Sequence, residues 1–228
     1  MEEANRSLDE VVLLDKPAGI SSFGVVARVR GYWRRKLGIK KIKVGHSGTL
    51  DPFATGLLII LVGRATKKQD EYMHKDKVYE AVLELGKTST TGDPEGEITQ
   101  VSDKEISREE FEKVLPKFVG KIKQVPPIFS AIKIDGRRAY DLARKGEMPK
   151  MPEREVEIFS LELLDFNFPF VKIRTHVSSG TYIRSLVQDI GEEIGVGAYT
   201  KELRRTKIGD FSVEDVEDLQ FYENKVEL

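Results

Sequence analysis

A chain of 228 residues, 39% hydrophobic and 33% charged, is long enough for one large folded domain or a core with a substantial insertion, and too aliphatic for a disordered chain. Zero cysteines exclude disulfides and thiolate metal sites, and three scattered histidines (His46, His74, His176) argue against a zinc cluster. No apolar run approaches the ~18 residues of a membrane span, and the acidic start MEEANRSLDE is unlike a signal peptide, so a cytoplasmic protein is expected.

In chain order, Val11–Asp15 reads as a short strand entering the turn Lys16-Pro17-Ala18-Gly19. Ser21 or Ser22 caps a helix to about Leu37, with Val25, Val26, Val29 and Trp33 on its apolar side. Lys43–His46 leads into the loop Gly45-His46-Ser47-Gly48, and Leu57–Val62 is a buried strand. Val78–Leu85 alternates like a strand, and TSTTGDPEGE (88–97) is a turn-rich loop. Ser107-Arg108-Glu109-Glu110 is a capping box opening a helix to about Val119. From Gln124 to Glu155, Pro126, Pro127, an Asp135-Gly136 turn after Ala131–Ile134 and a short basic helix mark an excursion from the core. Val156–Leu164 and Phe170–Val177 alternate like paired strands, and Thr181–Ile194 and Tyr199–Arg205 are expected to be helices. Strands and helices are intermixed, which predicts an α+β fold built on a mixed, mainly antiparallel sheet.

The formal net charge of −1 conceals segregation. Basic residues collect in three groups: Arg28 to Lys43; Lys133, Arg137, Arg138, Arg144 and Lys145; and Lys201, Arg204, Arg205 and Lys207. Acids gather at 103–112 and from Glu214 onward. Any one cluster reads as a solvated face, but three in one chain point to contact with phosphates.

Three segments carry the candidate chemistry. GHSGTLDPFATG (45–56) packs three glycines and a proline into twelve residues, which specifies a set loop conformation holding Asp51 and His46. No Lys-Ser or Lys-Thr follows, so it is not a Walker A loop. Taken alone, Asp51 before Pro52 also reads as a helix N-cap, and His46 as a loop histidine bonded to backbone. VSSGTYIRSL (177–186) ends a strand and starts a helix, which would set Tyr182 and Arg184 at the rim of a cleft. Arg184 there can clamp a carboxylate through both guanidinium arms; the alternative is a surface Arg in a first helical turn. Tyr79 stands at the start of the strand KVYEAVLELG, as a ligand contact or an ordinary sheet residue.

Together these motifs, with LLDKP (13–17), TTGDPEG, QVPPIFSAIK and LRRTKIG, resemble the TruB family of tRNA pseudouridine synthases, from Leu13 to about Phe211. The resemblance implies the pseudouridine synthase fold, isomerisation of the T-loop uridine at tRNA position 55, and Asp51 as catalytic aspartate. It implies that Tyr79 stacks on the flipped uracil, that Arg184 pairs with Asp51, and that Tyr182 and Leu203 line the base pocket. It further implies that His46 supports extruded T-loop nucleotides, that Lys16-Pro17 buttresses the loop, and that 124–155 is a thumb-like insertion closing over RNA. The chemistry suits these residue types. The glycosidic C1′–N1 bond breaks, the uracil rotates and C5 bonds to C1′, with no redox change, so no cofactor or metal is required. The carboxylate acts at C1′, at C6 or on a ribose proton, and the sequence does not choose. Aromatic stacking offsets part of the cost of flipping the base. A paired guanidinium keeps a carboxylate ionised where burial would favour the neutral acid.

Two departures stand out: no C-terminal PUA-type RNA-binding domain is recognisable, so 1–228 reads as a catalytic domain alone, and Phe129 stands where the family pattern has tyrosine. The rival readings are a guide-RNA-dependent pseudouridine synthase, which shares GHSGTLDP, a non-catalytic tRNA chaperone, and a metal-dependent phosphodiesterase built on Asp15, Asp51 and His46. A monomer is expected, since no amphipathic stretch demands a partner.

Overall fold

The computed structural model describes residues 8–130, 132–134, 136–217, 219 and 222. Ala131, Asp135 and most of both acidic termini lie outside the described residues, and with them half of the expected Asp135-Gly136 turn.

The elements are β1 (Asp9–Lys16), α1 (Ser22–Leu37), β2 (Val44–His46), β3 (Thr55–Gly63), α2 (Gln69–Met73), β4 (Lys77–Leu85), β5 (Lys87–Ser89), β6 (Ile98–Gln100), α3 (Arg108–Val114), β7 (Gly120–Gln124), β8 (Lys133–Ile134), β9 (Arg137–Arg138), α4 (Ala139–Ala143), β10 (Arg154–Asn167), β11 (Phe170–Val177), α5 (Ile183–Ile194), β12 (Ala198–Ile208) and β13 (Phe211–Ser212). Short 3-10 turns occupy Arg64–Lys68, Leu115–Phe118 and Val213–Asp215. The chain forms two compact units, Met1–Tyr79 with Arg204–Leu228, and Glu80–Leu203; β4 and β12 each pass from one into the other.

In the first unit β3 is the organising strand. It pairs antiparallel with β1, from Asp9 opposite Gly63 to Lys16 opposite Gly56, and parallel with β12 at Arg204–Thr55 and Arg205–Gly56. The apolar run Leu57–Val62 lacks alternation because both its faces are covered. Leu58, Ile60 and Val62 pack with Val25, Val26, Val29 and Trp33 of α1, while Leu57, Ile59 and Leu61 pack with Ala65 and Ile208. Each such side chain contributes roughly 2 kcal/mol by leaving water. Ser21, not Ser22, caps α1, its hydroxyl accepting from the Gly24 amide at 3.0 Å. The three basic residues of the last turn, Arg34, Arg35 and Lys36, suit the negative end of the helix dipole.

In the second unit the strand order is β12-β4-β11-β10-β7, with β10 antiparallel to both β11 and β7. Gln124 ends β7 directly opposite Arg154, which begins β10. Residues 125–153 are therefore an excursion inserted between two neighbouring strand ends, holding the β8–β9 pair and α4. The capping box forms as expected: Ser107 Oγ accepts from the Glu110 amide while Glu110 accepts from the Ser107 amide.

One expectation fails. Tyr199–Arg205 is strand, not helix. Its Lys, Glu, Leu and Arg residues favour a helix locally, but Leu203 and Arg205 are buried with the less buried Arg204 between them, and β12 takes its backbone partners from the sheet.

Candidate active site

The loop carrying Asp51 is fastened by buried side chains of its own unit. Lys16 is fully buried, and its amine donates to the carbonyls of Pro17 (2.8 Å), Ile20 (2.8 Å) and Pro52 (3.1 Å). The Gly19 amide also donates to Pro52 O, at 2.8 Å, so the Lys16-Pro17 turn and the Asp51-Pro52 turn share one carbonyl. On the other side of Asp51, the Ser22 hydroxyl accepts from Leu50 N (2.8 Å) and donates to Leu50 O (3.0 Å). Arg205, 1% exposed, donates from Nε to Leu57 O at 2.8 Å and from its two terminal nitrogens to Thr49 O (3.4 Å) and Gly48 O (3.2 Å). Asp51 itself is half-buried, and its carbonyl accepts from the Ala54 amide at 3.2 Å. The chain then enters β3, so no helix follows Pro52 and the N-cap alternative for Asp51 is excluded. His46 ends β2, opposite Ile60, and is half-buried.

Gly56 owes its identity to close approach. Its φ is +106°, and a Cβ there would lie 2.2 Å from Arg205 O. Tyr79 is buried near the start of β4. Two residues earlier, Lys77 is also buried, its amine donating to Met73 O (2.5 Å) and to Lys75 O. Burial brings this lysine down to about 8; the Arg205 charge acts in the same sense and Asp76 opposes it.

In the second unit, Arg184 sits in the first turn of α5 and is 3% exposed, which excludes the surface alternative. It donates to Asp93 Oδ2, Thr91 O and Phe129 O, each at 2.9 Å. Asp93 is held in turn through Oδ1, by the Thr91 hydroxyl (2.6 Å) and the Glu95 amide (3.0 Å). Tyr182 is half-buried and packs on Ile132, Ala139 and Met151 of the excursion. Gln124 grips it by the backbone, accepting from Tyr182 N (2.8 Å) and donating to Tyr182 O (3.0 Å). Leu203 is buried on β12.

Sequence reasoning missed Asp93, Gln124, Lys77 and the structural roles of Ser22 and Arg205. Asp93 carried a signal, a Thr two residues before it in a Gly/Pro-rich loop, which reads as a turn and says nothing of a buried arginine. Gln124 carried none.

The basic clusters divide. In the third, Arg204 pairs with Asp15 (2.6 Å) and Lys201 with Glu84 (3.0 Å), Lys207 is exposed, and Arg205 is buried on loop carbonyls, which takes Arg205 out of any phosphate-contacting face. In the second, Arg137 pairs with Glu147 through both arms, and Arg138 and Arg144 lie over the Tyr140 ring. Among the described residues, no three His, Asp or Glu side chains gather to hold a metal, and no helix is long and apolar enough to cross a membrane.

A family model described as the TruB family pseudouridylate synthase N-terminal domain matches residues 34–183, and one described as the tRNA pseudouridylate synthase B C-terminal domain matches 184–227. The chain is 50% identical over 207 residues to a tRNA pseudouridine synthase B of Phocaeicola vulgatus, covering 90% of this chain and 88% of that one. It is 44% identical over 223 residues to that of Bacteroides thetaiotaomicron (96% and 93% covered), and 45% over 213 residues to that of Pseudomonas fluorescens (93% and 68%). Among solved structures, it is similar to a chain from a crystal structure of a Cbf5-Nop10-Gar1 complex, with TM-score 0.69 and 29% identity over 96% of this chain. A chain of an H/ACA RNP bound to a substrate RNA containing 2′-deoxyuridine gives TM-score 0.67 and 28% identity. The chain spans about half the length of those two solved chains, 54% in each case.

Proposed function

Since the chain belongs to the TruB family of pseudouridine synthases, we propose that it isomerises the T-loop uridine of tRNA, position 55, to pseudouridine, with Asp51 as its catalytic carboxylate. The observation that carries the reading is the fastening of the Asp51 loop. Lys16, Ser22 and Arg205 hold the carbonyls of residues 48, 49, 50, 52 and 57, while Asp51 itself remains half-exposed. A carboxylate that must meet a reacting atom within a few tenths of an ångström needs this kind of support, because misplacement by 1 Å removes most of the benefit of a prearranged group.

The reaction breaks C1′–N1 of uridine, turns the uracil in place and joins C5 to C1′; the C5 proton is lost to solvent and N1 gains one. Asp51 acts at C1′, at C6 or on a ribose proton, and each route needs its ionised form. Tyr79 is assigned to stacking on the flipped base, Tyr182 and Leu203 to the pocket wall, and His46 to the extruded T-loop nucleotides. Arg184 is assigned to keeping the Asp51 carboxylate ionised. Lys16 and Pro17 support the loop, and residues 124–155 close over the RNA as a thumb. The enzyme acts as a monomer in the cytoplasm, without metal or cofactor.

Tritium release from a [5-³H]uridine-labelled T-arm stem-loop, with EDTA and no other component, tests this. Release by wild type and none by Asp51→Asn, at nearly unchanged RNA affinity, is the expected result. Parallel loss of binding and turnover would make Asp51 a structural residue. Release that requires added guide RNA and proteins would favour the arrangement of the Cbf5 complexes to which the fold is similar. The 50% identity to tRNA pseudouridine synthase B, against 29% to the chain from the Cbf5-Nop10-Gar1 complex, favours the stand-alone enzyme.

A further inference from the structure

We propose that a cationic pocket beside the C-terminal half of α1 is a second RNA contact, gripping backbone phosphates several nucleotides from the one that reacts. This rests on RNA being the substrate, as argued above. The pocket has a volume of 740 Å³; seven of its ten lining residues are Lys or Arg and, among the described residues, none is acidic. Three stretches of chain contribute: Arg30 and Arg34 from α1, Lys40 and Lys43 from the segment after it, and Arg64 and Lys67 from the 3-10 turn after β3.

What marks this group is that three stretches of chain bring their cations to one cavity with no carboxylate in its lining among the described residues. Arg30 donates to Val44 O at 3.2 Å and lies 5.7 Å from the Phe23 ring centroid. Among the described residues, no ion pair engages Arg34, Lys40, Lys43, Arg64 or Lys67. Like charges brought to one cavity by three separate segments repel one another and destabilise the fold unless an anion occupies the space. Apart from half-buried Arg30, the named side chains are exposed, so their charged ends are within reach of a polyanion. The two guanidiniums add the fork that binds phosphate through paired hydrogen bonds.

The position says which phosphates. Ser22, at the start of α1, is bonded to Leu50, the residue before Asp51. Arg30 and Arg34 lie eight and twelve residues further along the helix, roughly 12 and 18 Å at 1.5 Å per residue. Phe23 stands between, 66% exposed, with the Arg30 guanidinium over its ring. A ring so displayed next to cations is a surface for an unpaired base or ribose. α1 is thus a track from the Asp51 loop to the pocket, and the pocket meets RNA outside the reacting nucleotide.

The test is a binding titration of a whole tRNA transcript across a salt series. The proteins are wild type, a neutral variant (Arg34→Gln, Lys40→Gln, Lys43→Gln) and a charge-preserving one (Arg34→Lys, Lys40→Arg, Lys43→Arg). The neutral variant should bind on the order of tenfold or more weakly, and its slope of log affinity against log salt should fall by about 2–3, since each lost phosphate contact removes about one. The charge-preserving variant should keep the slope. Unchanged affinity and slope in the neutral variant would overturn the proposal. Its thermal midpoint should match or exceed that of wild type, because repulsion is relieved. If it does not fold, Lys43→Glu alone, at an exposed position, gives the same two readings. Tritium release by wild type on the same transcript reports on the catalytic reading separately, so either idea can fail without the other.

Discussion

Arg184 and Asp93 form an ion pair of 2.9 Å in which each side chain is 3% exposed. The pair is braced on both flanks, by Thr91 and Glu95 on the carboxylate and by the Thr91 and Phe129 carbonyls on the guanidinium. Loop 91–95, the base of the excursion and the start of α5 are therefore joined through one arginine.

Removing one member of such a buried pair strands the other charge, at a cost of about 3–5 kcal/mol. Asp93→Ala should lower the unfolding free energy by that order in denaturant titrations. Arg184→Lys should cut tritium release at least tenfold, since an ammonium cannot reproduce the planar fork that serves Asp93, Thr91 and Phe129 together. Full activity in Arg184→Lys would contradict a positioning role for the guanidinium.

The glycines of the Asp51 segment should separate cleanly under substitution. Gly56→Ala drives a Cβ to 2.2 Å from the carbonyl oxygen and 2.7 Å from the backbone nitrogen of Arg205, and at φ +106°. It is expected to cost several kcal/mol or to prevent folding. At Gly45 a Cβ meets nothing within 4 Å, so Gly45→Ala should unfold within about 1 kcal/mol of wild type. Equal effects in thermal melts would refute the close-approach explanation.

Acid sensitivity should trace to Glu84. Burial pushes its carboxyl up, but hydrogen bonds from Lys87 (2.6 Å), Tyr199 (2.6 Å) and Lys201 (3.0 Å) outweigh that and hold it at about 2; burial first, and then the bond to Glu84, push the Tyr199 phenol up to about 12. A carboxyl whose folded value lies below its unfolded 4.5 stabilises fully above pH 4.5, and that stability is lost as pH falls toward 2. Glu84→Gln should therefore narrow its stability deficit against wild type, on the order of 2–3 kcal/mol, across this window. A deficit independent of pH would mean that packing, not ionisation, carries the effect.

Lys77 should give a slope of the same sign at high pH, by relief of a buried charge rather than by gain of one. Its folded value of about 8 lies below the ordinary 10.5, so between these the unfolded chain binds more protons and stability rises with pH. Below pH 8 both states are protonated and the full cost of burying the ammonium remains. Stability of wild type relative to Lys77→Met is expected to climb by roughly 2–3 kcal/mol from pH 8 to 10.5. No change in that difference would place the ammonium in contact with solvent.

Much of this protein was determined by local order in the chain. Lack of alternation in Leu57–Val62 already meant a strand covered on both faces, and Ser107 with Glu110 already closed a capping box, because both depend on neighbours within a few residues. The density of Gly and Pro around Asp51 marked a loop of set shape, and the motifs flanking it named the family. What the local signals left open was decided by partners far along the chain. Tyr199–Arg205 has the residues of a helix and became a strand because sheet edges from other segments offered its backbone better bonds. Arg205 reads as one more cation in a basic run. It lies buried on carbonyls some 150 residues earlier, whereas Arg34 and Lys43, indistinguishable from it by composition, stay exposed around a cationic pocket. The difference is one of desolvation: a charge enters the interior only where fixed acceptors await it, and those acceptors are assembled by the tertiary fold rather than by adjacent residues.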